Sequence, residues 1–201
     1  MKIMFICTGN ICRSAMAHGL LEKRLAEKKI NNVSVYSCGI QAAIGDTPTY
    51  EARTVMEEYD VDISKHKATN IRYSNIKQMD LILCATVSHK MAVIEMYPEL
   101  KTKVYTMKEY VNYEREYHHP LNIKDPWGYD IDTYRSCASE IDECIELAKS
   151  IEIDTKAQKL LEALNYSFDI IEKDKVNSYI IKKSNGDKFI LYRSEEHTSE
   201  L

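Results

Sequence analysis

The sequence predicts an α/β fold, a parallel sheet covered by helices on both faces, and three observations carry that prediction. Short apolar runs alternate along the chain with longer segments of helical periodicity, and the first run, Lys2 to Cys7, opens directly into a tight polar turn and then a helix. Strands separated by helices run parallel and are buried on both sides. The composition agrees: 201 residues, 44% hydrophobic and 29% charged, suit one domain or one domain with a small appendage, and exclude a disordered or collagenous chain.

The elements follow in order. KIMFIC (residues 2–7) is the first strand, stopped by Thr8-Gly9-Asn10, and residues 13–28 form a helix through Ala17, Leu20, Leu21 and Leu25. VSVYS (33–37) is a second strand ended by Gly39. A polar loop with Gly45 and Pro48 leads to a helix over 50–59. DLILCA (80–85) is a third strand followed by a helix over 88–97, and KVYT (103–106) is a short fourth strand. After a loop rich in Tyr, His and Pro, residues 131–151 carry Ile141, Ile145 and Ala148 on one helix face. Functional residues of such a sheet gather at the carboxyl ends of its strands.

From residue 155 the character changes. Residues 156–164 read as a short helix, and FDIIE, SYIIKK and DKFILYR as three strands, the last two joined by Asn185-Gly186, a type I′ hairpin signal. The expected organisation is a domain over 1–154, an αβββ extension over 155–192 and a tail over 193–201. The tail, RSEEHTSEL, abandons the pattern and reads as the translation of a widely used sequencing adapter, so the expectation is that it is not native.

Charge and cysteines narrow the function. The 27 Lys and Arg against 31 Asp and Glu leave −4, and from residue 155 to the end the charges balance, eight against eight, so the excess acid lies in 1–154. Such a chain has no global attraction for nucleic acid or an anionic membrane, and any anion must be held locally. The first residues lack the long apolar stretch of a secretory signal or spanning helix, so a cytoplasmic protein is expected. Six cysteines in a reducing compartment are more often buried or catalytic than bridged. Cys137 and Cys144 share a helix face and read as core. His118-His119 has no companion spacing for a metal and reads as a solvated loop.

Cys7-Thr8-Gly9-Asn10-Ile11-Cys12-Arg13-Ser14 places a cysteine and an arginine on one loop between strand and helix. Backbone N–H groups of such a loop converge on one point, and the helix start adds the positive end of its dipole. The same cradle and the Arg13 guanidinium favour Cys7 as a thiolate. Arg13 suits bidentate grip on a phosphoryl group, and Ser14 suits donation to the sulfur. The plain alternative is a buried cysteine beside a helix-starting arginine, and a bare Cys-x5-Arg pattern alone does not exclude it.

These residues resemble the low-molecular-weight protein-tyrosine phosphatases, whose loop reads C-x-G-N-x-C-R-S. The resemblance covers residues 1 to about 150: Ser37-Cys38-Gly39, Gly45, Pro48 and His66 match family positions, and Asp125-Pro126-Trp127 matches the acid-loop motif. It implies a flavodoxin-like four-stranded parallel sheet, Cys7 as nucleophile, Asp125 as general acid, and phosphate held by Arg13 and the loop Thr8, Gly9, Asn10, Ile11, Cys12 and Ser14. It also implies a hydrogen-bonded network of Asn10, Ser14, Ser37 and His66, and Cys12 as redox partner of Cys7. A phosphocysteine mechanism needs no metal or cofactor, only a phosphorylated protein substrate. Ile11 and Trp127 are the expected walls of the substrate pocket.

The departures are informative. Ala15 and His18 stand where the family often has Pro and Glu, with an expected effect on the helix surface more than on the chemistry. The protein-arginine phosphatase branch carries Thr at the position of Ile11, which favours phosphotyrosine here. KVYTMKEYV and DPWGYDIDTY nevertheless resemble the arginine branch, so phosphoarginine is the alternative. Two other readings rank lower. A thioredoxin-coupled arsenate reductase needs a partner for Cys84, and residues 85–98 contain no cysteine. A non-catalytic phosphopeptide binder would not need both Cys7 and Asp125.

Overall fold

The computed structural model describes residues 1–111 and 121–148 and the backbone of three later strands. It divides into two units, Met1–Glu152 and Ile153–Leu201. The first unit holds β1 (Lys2–Cys7), α1 (Arg13–Glu27), β2 (Ser34–Gly39), α2 (Tyr50–Glu58), β3 (Leu81–Cys84), α3 (Val87–Met96), β4 (Val104–Thr106), α4 (Met107–Tyr110) and α5 (Ile131–Leu147). The four strands form a parallel sheet in the order β2-β1-β3-β4. Three 3-10 turns, Ile71–Tyr73, Ile76–Gln78 and Pro98–Lys103, complete the connections.

The alternation of side chains along β1 explains the two layers. Ile3, Phe5 and Cys7 face α1, α2 and α5, where Met16, Leu20, Val55, Tyr134, Cys137 and Ile141 bury them. Met4 and Ile6 face the other way, onto Ile71, Ile76, Met79, Val93 and Leu100. Cys137 and Cys144 are both buried, as their helix spacing predicts. Burial of an aliphatic side chain stabilises by about 1.5–3 kcal/mol relative to exposure, so this double core carries the unit.

Element bounds differ from the sequence expectation where pairing overrides local pattern. β2 extends to Gly39 rather than stopping at Ser37, because Ile6 and Cys7 pair with Cys38 and Gly39. That extension brings the ends of β1 and β2 side by side. The turn α4 was not expected. It is set by Thr106, whose side chain accepts the Glu109 N–H while Glu109 returns the bond to the Thr106 N–H, a complete capping box.

In the second unit β5 (Phe168–Lys173), β6 (Ser178–Lys183) and β7 (Lys188–Tyr192) form an antiparallel sheet in sequence order. The expected helix over 156–164, the Asn185-Gly186 turn, the tail over 193–201, His118-His119 and the last turn of the helix expected over 131–151 lie outside the described residues.

Candidate active site

The loop after β1 is built from the inside. Cys7, Asn10, Arg13 and Ser14 are all buried. Asn10 has φ +57°, the left-handed region that turns the chain back over Cys7, and asparagine is among the few residues that adopt it readily. Its side chain makes the conformation specific: Nδ2 donates to Ser14 Oγ at 2.9 Å and to Ser37 Oγ at 3.0 Å, and Oδ1 accepts the Thr69 N–H at 2.9 Å. His66 Nε2 donates to the Asn10 carbonyl at 3.0 Å. The Asn10 N–H points at Cys7 Sγ, 3.3 Å away, and Ser14 Oγ lies 3.0 Å from the same sulfur. The structure therefore brings Asn10, Ser14, Ser37 and His66 together around Cys7.

Gly39 allows this loop to sit where it does. A Cβ there would stand 2.5 Å from the Thr8 carbonyl oxygen and 2.9 Å from the Asn10 nitrogen, closer than atoms can pack. The Ile40 and Gln41 N–H groups donate to the Cys7 and Thr8 carbonyls at 3.0 and 2.9 Å, which locks β2's exit against the loop.

Asp125 arrives from the far end of the unit. Arg13, only 4% exposed, donates from Nη2 to Asp125 Oδ2 and from Nη1 to the Ile123 carbonyl at 3.3 Å. Asp125 is half exposed and also accepts the Trp127 N–H at 3.2 Å, closing a short turn before Gly128, whose φ is +81°. Trp127 is 66% exposed and Tyr129 is exposed beside it in sequence, whereas Ile11 is partly buried against the core.

Cys12 is a free thiol at the N-cap of α1. Its Sγ lies 3.4 Å from Tyr134 Oη and 3.8 Å from Thr49 Oγ1, and Thr49 in turn donates to Tyr134 Oη at 3.2 Å. Burial pushes the Cys12 thiol up to about 11 despite these two partners. Cys38 is pushed up to about 12, again by burial, and burial also raises Cys84 and Cys137. A buried neutral thiol is a poor nucleophile.

Two histidines join the site that the sequence reading did not place there. His18 was expected to affect the helix surface; instead its Nδ1 lies 3.1 Å from Ser37 Oγ, its Nε2 3.3 Å from Glu22, and its ring stands edge-on to His66. A position four residues beyond Ser14 lies one helical turn along the same face, which is the signal that points to it. His89 is 9% exposed and bonds Thr8 Oγ1 through Nε2 at 2.9 Å and Thr86 Oγ1 through Nδ1 at 2.8 Å. Burial and the nearby Arg13 charge hold His89 down at about 4, and burial lowers His66 as well. Only the Thr86 cap spacing hints at His89 in the sequence.

The assembled groups are a buried cysteine sulfur beside the Asn10 N–H and the Ser14 hydroxyl, a buried guanidinium and an exposed carboxylate on that guanidinium. Such a set can bind a tetrahedral dianion, attack it and deliver a proton to what leaves. Among the described residues, no group of three or more His, Cys, Asp or Glu is placed to hold a metal ion, and no helix is long and apolar enough to cross a membrane.

Comparison with known proteins agrees with this chemistry. A family model described as low molecular weight phosphotyrosine protein phosphatase matches residues 2–159. The protein-arginine-phosphatase of Geobacillus stearothermophilus is 32% identical over 154 residues, 76% of this chain and 97% of that protein. That of Bacillus subtilis is 32% identical over 157 residues, 78% of this chain and 100% of the relative. The crystal structure of a low molecular weight protein tyrosine phosphatase from T. tengcongensis superposes with a TM-score of 0.67 at 33% identity, covering 73% of this chain and 96% of that one.

Proposed function

Because this chain belongs to the low molecular weight phosphotyrosine protein phosphatase family and is a phosphatase acting through a cysteine nucleophile, we propose that Cys7 is that nucleophile and protein phosphoarginine its substrate. The observation that carries the catalytic assignment is one buried loop that sets the Asn10 N–H and Ser14 Oγ on the Cys7 sulfur and joins Asp125 through Arg13. Cys7 attacks phosphorus and the P–N bond breaks, while Asp125 gives its proton to the departing guanidine nitrogen. Asp125 then takes a proton from the water that hydrolyses the phosphocysteine, restoring the thiolate and releasing phosphate. Arg13 and the loop amides stabilise the equatorial oxygens throughout.

The substrate assignment is supported by the two arginine phosphatases, which this chain matches over nearly their whole length, and by the KVYTMKEYV and DPWGYDIDTY segments. Phosphotyrosine is the second reading, favoured by one residue. Ile11 offers an aliphatic side chain suited to a phenyl ring and no hydroxyl for a guanidinium. Tyrosine phosphatases are also among the similar proteins. The test is kcat/KM on matched phosphoarginine and phosphotyrosine peptides. Phosphoarginine is expected to be the better substrate, and Ile11→Thr is expected to raise its advantage by about tenfold. Efficient phosphotyrosine turnover with little on phosphoarginine overturns the assignment in favour of the second reading.

A further inference from the structure

The junction between β3 and α3, residues 85–89, touches both loops of the site. Thr86 caps α3, its Oγ1 accepting the His89 N–H at 3.2 Å. His89 then spans from that cap to Thr8 in the nucleophile loop, with both ring nitrogens engaged. On the acid-loop side, the Val87 N–H donates to Asn122 Oδ1 at 2.8 Å and the Ile123 N–H to the Ala85 carbonyl at 2.9 Å. The Ile123 carbonyl accepts from Arg13, so a closed circuit of hydrogen bonds runs from one loop through the junction to the other.

Two proton placements satisfy the His89 bridge. A hydroxyl has one proton and two lone pairs, so Thr86 Oγ1 can accept the His89 N–H and still either donate to Nδ1 or accept from it. In the first case Nε2 carries the ring proton and donates to Thr8 Oγ1, and in the second Thr8 Oγ1 donates to Nε2. Burial and the neighbouring Arg13 favour the neutral imidazole, which bonds both hydroxyls in either arrangement.

We propose that His89 is a positioning residue that holds the nucleophile loop in register with the acid loop, acting through Thr8 on one side and the β3–α3 junction on the other. The proposal rests on Cys7 as nucleophile and Asp125 as general acid. A small shift between the two loops leaves phosphate binding to Arg13 and the amides nearly intact but misdirects the Asp125 proton. Leaving groups that most need that proton then suffer most.

The test is kcat/KM for aryl phosphates whose phenols range from para-nitrophenol, which leaves readily, to phenol, which needs protonation. His89→Phe, which keeps the ring volume and loses the bonds, is expected to lower the rate about tenfold with phenyl phosphate and less than about threefold with para-nitrophenyl phosphate. His89→Gln, which can still accept from Thr86 and donate to Thr8, is expected to recover most of the loss. Thr8→Val is expected to reproduce the His89→Phe pattern, and the double variant to be no worse than either single one. An even loss across the series, or additive losses of Thr8→Val and His89→Phe, overturns the proposal. Should His89→Phe not fold, Thr8→Val and Asn122→Ala read the two ends of the circuit and carry the same expectation. Asp125→Asn separates the two levels. A steep leaving-group dependence there with a flat one in His89→Phe overturns the brace alone, and a flat dependence in Asp125→Asn overturns the acid assignment and the brace with it.

Discussion

The two loops that meet at the site are built on opposite plans. The nucleophile loop, residues 7–14, is mostly buried, and Asn10 by itself bonds Ser14 within it and Ser37, His66 and Thr69 outside it. The acid loop, residues 121–130, is largely exposed, and its Asp125 carboxylate is held by Arg13 and by a turn of its own backbone. The difference matches what each has to do. A cradle for a charged phosphoryl group works best when its donors are already in place, so that nothing reorganises as the transition state forms. The acid loop has to admit a substrate. Asp125 bonds the same guanidinium that is proposed to grip phosphate, so on that proposal an incoming dianion competes with Asp125 for Arg13.

The strongest break in this comparison is removal of the sulfur. Cys7→Ser leaves the cradle's donors in place but replaces the nucleophile, and turnover is expected to fall by about 10⁴-fold or more while phosphate still binds. Steady-state turnover and phosphate titration of the variant check it. Retained turnover would remove Cys7 from the chemistry. Next comes Asp125→Asn, expected to lower kcat/KM by about 10²–10³-fold on substrates with poor leaving groups, with the thermal midpoint nearly unchanged. A large loss of stability instead would mean that the exposed loop is a structural clamp.

Substitution beneath the nucleophile loop should act the other way round, on structure first. Gly39→Ala drives a methyl group toward the Thr8 carbonyl and the Asn10 nitrogen, backbone atoms that cannot step aside independently. The expected cost is up to about 3 kcal/mol of stability, with activity falling because the cradle is displaced. Urea unfolding and kcat/KM on the same preparation read both; a loss of activity without a loss of stability would show that the loop tolerates the shift in shape.

The same contrast explains what the sequence could and could not disclose. Cys7, Asn10, Arg13 and Ser14 are legible because a single loop carries them all, and Ser37 and His66 through a family resemblance. Asp125 is legible only by that resemblance, since 112 residues separate it from the arginine it pairs with. His89 carries only the spacing from the Thr86 cap: its bond to Thr8 crosses 81 residues, and no local pattern distinguishes a bridging imidazole from any other near a helix start. β2 was drawn two residues short for a related reason, because Cys38 and Gly39 are held as strand by pairing with β1. Neighbours far along the chain, not local propensity, decide these places.

Acid should separate the two loops most finely, because the buried side of the site holds neutral imidazoles. His89 titrates at about 4 in the folded protein, below the ~6.5 of an unfolded imidazole. As pH falls below about 6.5 the unfolded chain takes up the proton first, so folding loses stability, and the loss continues until the folded group also protonates near 4. Neutral His89 therefore contributes fully above about pH 7, and its contribution has dropped by about 2 kcal/mol at pH 5. His66, lowered by burial, acts in the same direction. Urea midpoints from pH 7.5 to pH 5 should fall, and His89→Phe, with no proton to gain, should flatten that slope even though it starts less stable. Because His89 contacts the nucleophile loop through Thr8, acid should loosen that loop before the Arg13–Asp125 pair is affected; an unchanged slope in His89→Phe would place the acid sensitivity in the exposed loop instead.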